Sequence, residues 1–334
     1  MRRAVSVACL LLGSMHAGVG LANSGSNSTY IVNGINVSIE DFPSFASLYF
    51  DQLDTSGLYQ NYCGATILDA YHVLTAAHCV EGDSYYYTYT SVAPQVQNEL
   101  QVLNGSVGLY RASEFYYPDG FRDSEALSWP DDIAIIKLEE PLEVDPSEYV
   151  TLASPSDIAS YDFIGTEMFV IGHGFTTDGS DDSNVLQGTF QTLLSASQCR
   201  SAGINSRQLC LQGDFNSETR LRNSTCGGDS GGPLYWNRGG QYIQVGITSF
   251  GPSDCGDPSA DYSSAYTEVA EYRDWINRVL NGFEVPKIVV TQENRDNFVR
   301  AEEETISSGD DSGGSLGWFG LSALAMFAWR RRKH

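Results

Sequence analysis

The sequence predicts an all-β fold closed by one C-terminal helix, and two patterns predict it. From Ile31 to about Val269, short runs rich in Val, Ile, Tyr, Phe and Thr alternate with clusters of Gly, Asp, Asn and Ser, as in short strands joined by turns. Beyond them Tyr272, Trp275, Ile276, Val279 and Leu280 fall at i, i+3, i+4, i+7 and i+8. That spacing puts all five on one helical face, and Asn281 and Gly282 supply a stop. In chain order the clearest strands are Ala65 to Leu68, Ile133 to Leu138, Glu167 to Ile171 and Gln241 to Ser249.

The chemistry is concentrated in the run Cys226 Gly227 Gly228 Asp229 Ser230 Gly231 Gly232 Pro233. A serine hydroxyl is a weak nucleophile at neutral pH, so Ser230 needs a base, and the base needs a third group to orient it. His78, in Leu74 Thr75 Ala76 Ala77 His78 Cys79, is the candidate base, and Asp132, ahead of Ile133 Ala134 Ile135 Ile136, is the candidate orienting acid.

With these three in the chain order His, Asp, Ser, the sequence resembles the chymotrypsin and trypsin family of secreted serine endopeptidases, from Ile31 to about Leu280. The resemblance implies two antiparallel six-stranded barrels packed face to face, with His78 and Asp132 from the first and Ser230 from the second. It assigns Ser230 as nucleophile, His78 as general base and Asp132 as the residue that holds His78, with the backbone amides of Gly228 and Ser230 as the oxyanion hole. Ser249, Phe250 and Gly251 match the segment that pairs with substrate as an added strand, and Ser249 is expected to reach Asp132. No cofactor is required, and protein or peptide substrates are the implied partners. The competing class is a non-catalytic binding protein on the same fold, whose usual mark would be loss of Ser230, His78 or Asp132.

The resemblance also makes the protein a zymogen. Ile31 Val32 Asn33 Gly34 matches the family's activated start, so an activating protease is expected to cut after Tyr30 and free an amine that pairs with Asp229. In the primary pocket Ser224 stands two residues before Cys226, where tryptic relatives carry an acid, and Ser264 is expected to limit the depth. These residues imply a neutral pocket for aromatic or large apolar side chains. Small aliphatic preference is the alternative, or basic preference through Asp257 or Asp261. Two departures stand out: the stretch Tyr85 Tyr86 Tyr87 Thr88 Tyr89 has no clear counterpart and leaves a structural calcium site open, and His173 replaces a tryptophan as a packing substitution. No metal ligand set is expected.

Residues 1–22 read as a signal peptide, with Arg2 and Arg3 ahead of the apolar run Ala4 to Leu12. Residues 23–30 are then a short propeptide, 31–282 the protease domain. Of seven cysteines, Cys9 lies in the signal segment; the pairing of the other six is not settled by spacing. The family resemblance implies Cys63 with Cys79, Cys199 with Cys210 and Cys226 with Cys255, hence an oxidising compartment.

The chain has a formal charge of −23. Removing the terminal Arg2, Arg3, Arg330, Arg331, Arg332 and Lys333 leaves 13 basic residues against 42 acidic ones, near −29. Such a surface repels nucleic acid and anionic membranes, and self-repulsion is screened at high ionic strength.

Residues 283–312, with Glu302 Glu303 Glu304, read as a flexible acidic spacer. Residues 313–334 hold Gly313 Gly314, an apolar run from Leu316 to Trp329 and a basic end. The run is short of the roughly 20 residues of a permanent span, and the basic end favours the cytoplasmic side. This tail resembles the bacterial GlyGly-CTERM sorting signal, which implies transient membrane anchoring and cutting by a membrane protease. The product would be secreted, periplasmic or on the outer cell surface. A GPI signal and a plain tail anchor are the competing readings.

Overall fold

The computed structural model describes residues 31–53, 57–82, 84–174 and 185–297. The signal peptide, the propeptide and the basic tail lie outside them.

The first half of the chain supplies β1 (Ile35–Asn36), β2 (Phe45–Gln52), β3 (Leu58–Ile67), β4 (His72–Thr75), β5 (Thr90–Pro94), β6 (Tyr110–Tyr116) and β7 (Ala134–Leu138). The second supplies β8 (Glu167–Gly172), β9 (Gln187–Leu193), β10 (Gln208–Gly213), β11 (Pro233–Arg238), β12 (Gln241–Phe250), β13 (Ser264–Glu268) and β14 (Ile288–Val289). The four strands expected from sequence fall in β3, β7, β8 and β12.

Two closed six-stranded antiparallel barrels result. The first runs β6-β5-β2-β3-β4-β7 and closes through β6 against β7; the second runs β9-β10-β13-β12-β11-β8 and closes through β9 against β8. Closure leaves no free edge within either barrel. The two remaining strands cross over. β1 pairs with β9 of the second barrel, and β14 pairs with β6 of the first.

Each barrel has its own apolar interior. Leu48, Ala65, Leu74, Phe115 and Ile135 fill the first, and Met168, Val170, Leu211, Val245 and Tyr266 fill the second. The helix Arg273–Leu280 buries Trp275, Ile276 and Val279 against the first core, on the face its spacing foretold. Each such side chain contributes about 2 kcal/mol of burial.

All three implied disulfides are formed, Cys63–Cys79, Cys199–Cys210 and Cys226–Cys255. The tyrosine-rich stretch makes one helical turn, Ser84–Thr88, and works as packing. Tyr86 and Tyr89 meet Phe50 edge-on, while the Tyr62 hydroxyl lies 2.9 Å from Thr90 Oγ1. Amide side chains brace the loop after β5: the Gln101 carbonyl accepts from the amides of Gln97 and Asn98, and Gln97 spans to Val37 and Ile39. His173 is 6% exposed, stacks on Phe45 at 5.7 Å and donates from Nε2 to Val96 O at 3.1 Å. Burial pushes its pKa down to about 3, so it packs as a neutral ring.

One boundary is corrected. The stretch after Gly282, expected to be a flexible spacer, packs on the first barrel as far as residue 297. Val290 is 3% exposed, and its amide donates to Ser113 O at 2.8 Å. Arg295, also 3% exposed, donates to Glu139 Oε1 at 2.6 Å, Ala112 O at 2.8 Å and Thr88 O at 3.2 Å. The apolar Ile288, Val289 and Val290 and one arginine outweigh the polar composition around them. Among the described residues no helix is long and apolar enough to cross a membrane; the apolar run of the tail lies outside them.

Candidate active site

His78 sits in the tight turn Ala77–Cys79 directly after β4, and Asp132 lies just ahead of β7. Because β4 and β7 are neighbours in the first barrel, with Thr75 opposite Ala134, the two residues leave the sheet at the same end. The Cys63–Cys79 bond ties the His78 turn to β3.

Asp132 is fully buried and every bond it makes points one way. His78 Nδ1 lies 2.8 Å from Asp132 Oδ2, the His78 amide donates to Oδ1 at 2.9 Å, and Ser249 Oγ donates to Oδ2. Thr267 Oγ1 holds the Asp132 carbonyl at 2.7 Å. Burial alone would raise this carboxyl, but His78 and the Ser249 hydroxyl offset it and hold it below the usual carboxylate range. Ser249 can reach because β12 bulges: Thr248 faces Tyr266 and Phe250 faces Ala265, leaving Ser249 out of the ladder. A bulge re-aims the side chain it frees.

Ser230 comes from the loop between β10 and β11 of the second barrel and docks on the first. Its carbonyl accepts from the Gly64 amide at 2.7 Å, and the next amide, Gly231, donates to Thr248 O at 2.8 Å. Gly228, at φ 97°, turns the chain just ahead of it, a conformation open to glycine. A cleft of about 430 Å³ opens beside Ser230, walled by Thr225, Thr248, Ser249, Phe250 and Trp129. Of the sequence candidates, Ser230, Ser249, Phe250 and Gly251 all line it.

The two expected pocket-floor residues, Ser224 and Ser264, are both buried next to Thr225, which lines the cleft. Ser224 is fully buried and spends its hydroxyl on Thr225 O and Ser263 O, at 2.7 and 3.1 Å. Ser264 Oγ is 2.8 Å from Thr225 Oγ1 and accepts from the Thr225 amide. Asp257 is engaged by Ser259 and Asp261 by Ser201, and neither lines the cleft. Sequence reasoning missed Thr225, Trp129 and Tyr262. The first two stand one residue before Cys226 and three before Asp132, where a closer reading of neighbours could find them; Tyr262 lies in a loop with no local signal.

Asp229 is not among the residues that line the cleft. It is fully buried, and the amides of Gly174 and Cys226 donate to its two oxygens, each at 2.8 Å. Burial outweighs these two bonds and pushes its pKa up to about 7. Ile31 and Val32 are fully buried in the second barrel, where the Val32 amide donates to Ser224 O at 2.9 Å.

Residues 31–276 match the family model described as Trypsin. The chain belongs to the trypsin family. Its serine-protease relatives include the CLIP domain-containing serine protease B4 of Anopheles gambiae, 26% identical over 74% of this chain and 69% of that protein. Phenoloxidase-activating factor 1 of Holotrichia diomphalia is 30% identical over 74% of this chain and 68% of the relative. Ovochymase of Halocynthia roretzi is 30% identical over 80% of this chain, which spans 16% of that longer protein. The trypsin-family match ends within the C-terminal helix, so β14 and Arg295 lie beyond it.

Proposed function

We propose that this chain is a serine endopeptidase, made as a zymogen and activated by a cut between Tyr30 and Ile31. The observation that carries this reading is the bond from His78 Nδ1 to the buried Asp132, beside a cleft that Ser230 lines. In the proposed mechanism Ser230 Oγ attacks the scissile carbonyl as His78 Nε2 takes its proton. Asp132 holds the tautomer with Nδ1–H and stabilises the imidazolium that forms. The amides of Gly228 and Ser230 donate to the developing oxyanion. His78 then returns its proton to the leaving amine, and water resolves the acyl-enzyme by the same route in reverse.

Asp229 serves the switch. Among the described residues the buried carboxylate has two amide donors and no cation, and the amine freed at Ile31 would supply one. Substrate would add a strand along Ser249, Phe250 and Gly251. Thr225 and the apolar Phe250 favour an uncharged side chain in the primary pocket, aromatic or large apolar first. The six cysteines and the leader support an oxidising compartment for the mature protein, and the tail sequence supports processing by a membrane protease.

Labelling with a fluorophosphonate tests the assignment. The protein cut before Ile31 is expected to label at Ser230 and to cleave peptides after Phe faster than after Ala or Arg. No label on the cut protein would favour a binding role, and a strong Arg preference would overturn the neutral pocket.

A further inference from the structure

The loop that delivers Asp132 belongs to the first barrel, yet a row of bonds from the second barrel and the turn ahead of the C-terminal helix fastens it. Gln208, 6% exposed at the start of β10, donates from Nε2 to Ser128 O at 2.8 Å and to Trp129 O at 3.3 Å. Its Oε1 accepts from the Asn205 amide at 3.0 Å, which fixes the way the side-chain amide faces. One residue earlier, Arg207 donates from Nη1 to Asp131 Oδ1 at 3.1 Å, with its guanidinium 5.6 Å from the centre of the Tyr272 ring. The Tyr272 hydroxyl donates to the same Asp131 oxygen at 2.7 Å, and Thr267 Oγ1 donates to the Asp132 carbonyl at 2.7 Å.

The loop needs such holding. Ser128, Trp129 and Asp131 stand at φ 55°, 43° and 55°, in the left-handed region that residues with a β-carbon avoid. A cluster of this kind persists only where the surrounding structure over-determines it. The Asp131 carbonyl accepts from the Ile133 amide at 2.9 Å, so Asp132 is the middle residue of a three-residue turn. Where Asp131 goes, Asp132 follows. The other side of the Asp131 carboxylate is closed by backbone, since a β-carbon on Gly120 would lie 2.0 Å from Oδ2.

We propose that Arg207, Gln208 and Tyr272, acting through the loop 128–131, are positioning residues for Asp132, and that they set how the His78–Asp132 pair of the first barrel stands against Ser230 of the second. The proposal rests on the endopeptidase reading and adds to it three residues outside the cleft lining. Base and nucleophile come from different barrels, and a displacement of about 1 Å between them can cost about a hundredfold in rate. On the Ser230 side, registration comes from the bonds of Ser230 O to the Gly64 amide and of the Gly231 amide to Thr248 O. On the Asp132 side it comes from this clamp. With the clamp cut, the loop relaxes toward ordinary backbone and carries Asp132, and with it His78, off line.

The test uses the protein cut before Ile31, as the parent and as Gln208→Leu, Asp131→Gly and Asp131→Asn. Asp131→Gly is decisive, because glycine suits a φ of 55° and a merely structural turn would keep or gain activity on losing that strain. The expected result is a fall in kcat of between about tenfold and a hundredfold in Asp131→Gly and Gln208→Leu, with KM within about twofold of the parent. Asp131→Asn should recover most of the loss, since asparagine tolerates left-handed backbone and still accepts from Tyr272. The proton between His78 Nδ1 and Asp132 Oδ2 supplies a second readout, a far-downfield proton resonance that should shift or broaden in Asp131→Gly and return in Asp131→Asn. Parent kcat and an unmoved resonance in Asp131→Gly would overturn the proposal, whether or not Gln208→Leu folds. If the cut parent hydrolyses nothing, the endopeptidase reading fails on its own, and the resonance, which needs no turnover, decides the clamp.

Discussion

The position where a β-carbon on Gly231 would lie is 2.1 Å from Thr75 Oγ1, so the residue after Ser230 is pressed directly onto the first barrel. Thr75 is itself fixed, its hydroxyl donating to Gly64 O at 2.8 Å.

Gly231→Ala should therefore be costly twice, through its φ of 77° and through the clash. Left-handed backbone and overpacking together are worth about 2 to 4 kcal/mol. A urea titration should show that loss, and fluorophosphonate labelling of the cut variant should slow sharply. Wild-type labelling in the variant would mean that the loop is free to move off Thr75.

Ser249→Ala removes a donor from the ionised, buried Asp132. A charge-assisted hydrogen bond is worth about 1.5 to 3 kcal/mol, so kcat/KM should fall by roughly tenfold or more. Asp132 contributes stability above the carboxylate range of the unfolded chain, and that contribution is lost as pH falls through its depressed folded value. With one donor gone the folded value rises, so acid unfolding should begin at higher pH.

Asp229 gives the opposite sign before activation. With its folded pKa raised to about 7, the uncut chain loses stability as pH rises from about 4 to about 7, because the unfolded carboxyl ionises first. Glu268, raised by burial to about 7, contributes in the same direction, so the informative quantity is the difference between the parent and Asp229→Asn. After the cut before Ile31, pairing with the new amine should lower the Asp229 value and remove or reverse that slope. Thermal melts of both forms across this pH range read it directly.

Arg295→Ala should destabilise by about 2 to 4 kcal/mol, since it empties a buried site and leaves unpaired the Thr88 and Ala112 carbonyls that Arg295 now serves. Truncation after Gly282 should cost more, losing β14 as well. Denaturant midpoints of the two variants provide the check, and an unchanged midpoint on truncation would restore the spacer reading.

Local motifs carried most of what was legible in the sequence. Ser230, His78 and Asp132 are each embedded in a short run whose residue types the chemistry demands, and the helix after Tyr272 repeats its apolar face over two turns. What escaped was non-local. Tyr262 meets Phe250 edge-on from a loop distant in sequence, and Thr225, not marked by any motif, lines the cleft beside it. Likewise Pro286 to Val290 is too short and too flanked by charge to announce a strand, and Arg295 becomes a core residue only once Thr88, Ala112 and Glu139, distant in sequence, surround it. Ser249 owes its aim to a bulge, which no spacing rule reveals.

The crossed placement of β1 and β14 bears on how the molecule comes apart. The segment that leads into the first barrel is hydrogen-bonded to the second, and the segment that leaves the second is hydrogen-bonded to the first. Neither half can melt without releasing a strand held by the other, so two separate cores should unfold in one cooperative transition. A chain divided between the barrels, near residue 145, would have to reassemble from two fragments that each lack an outer strand.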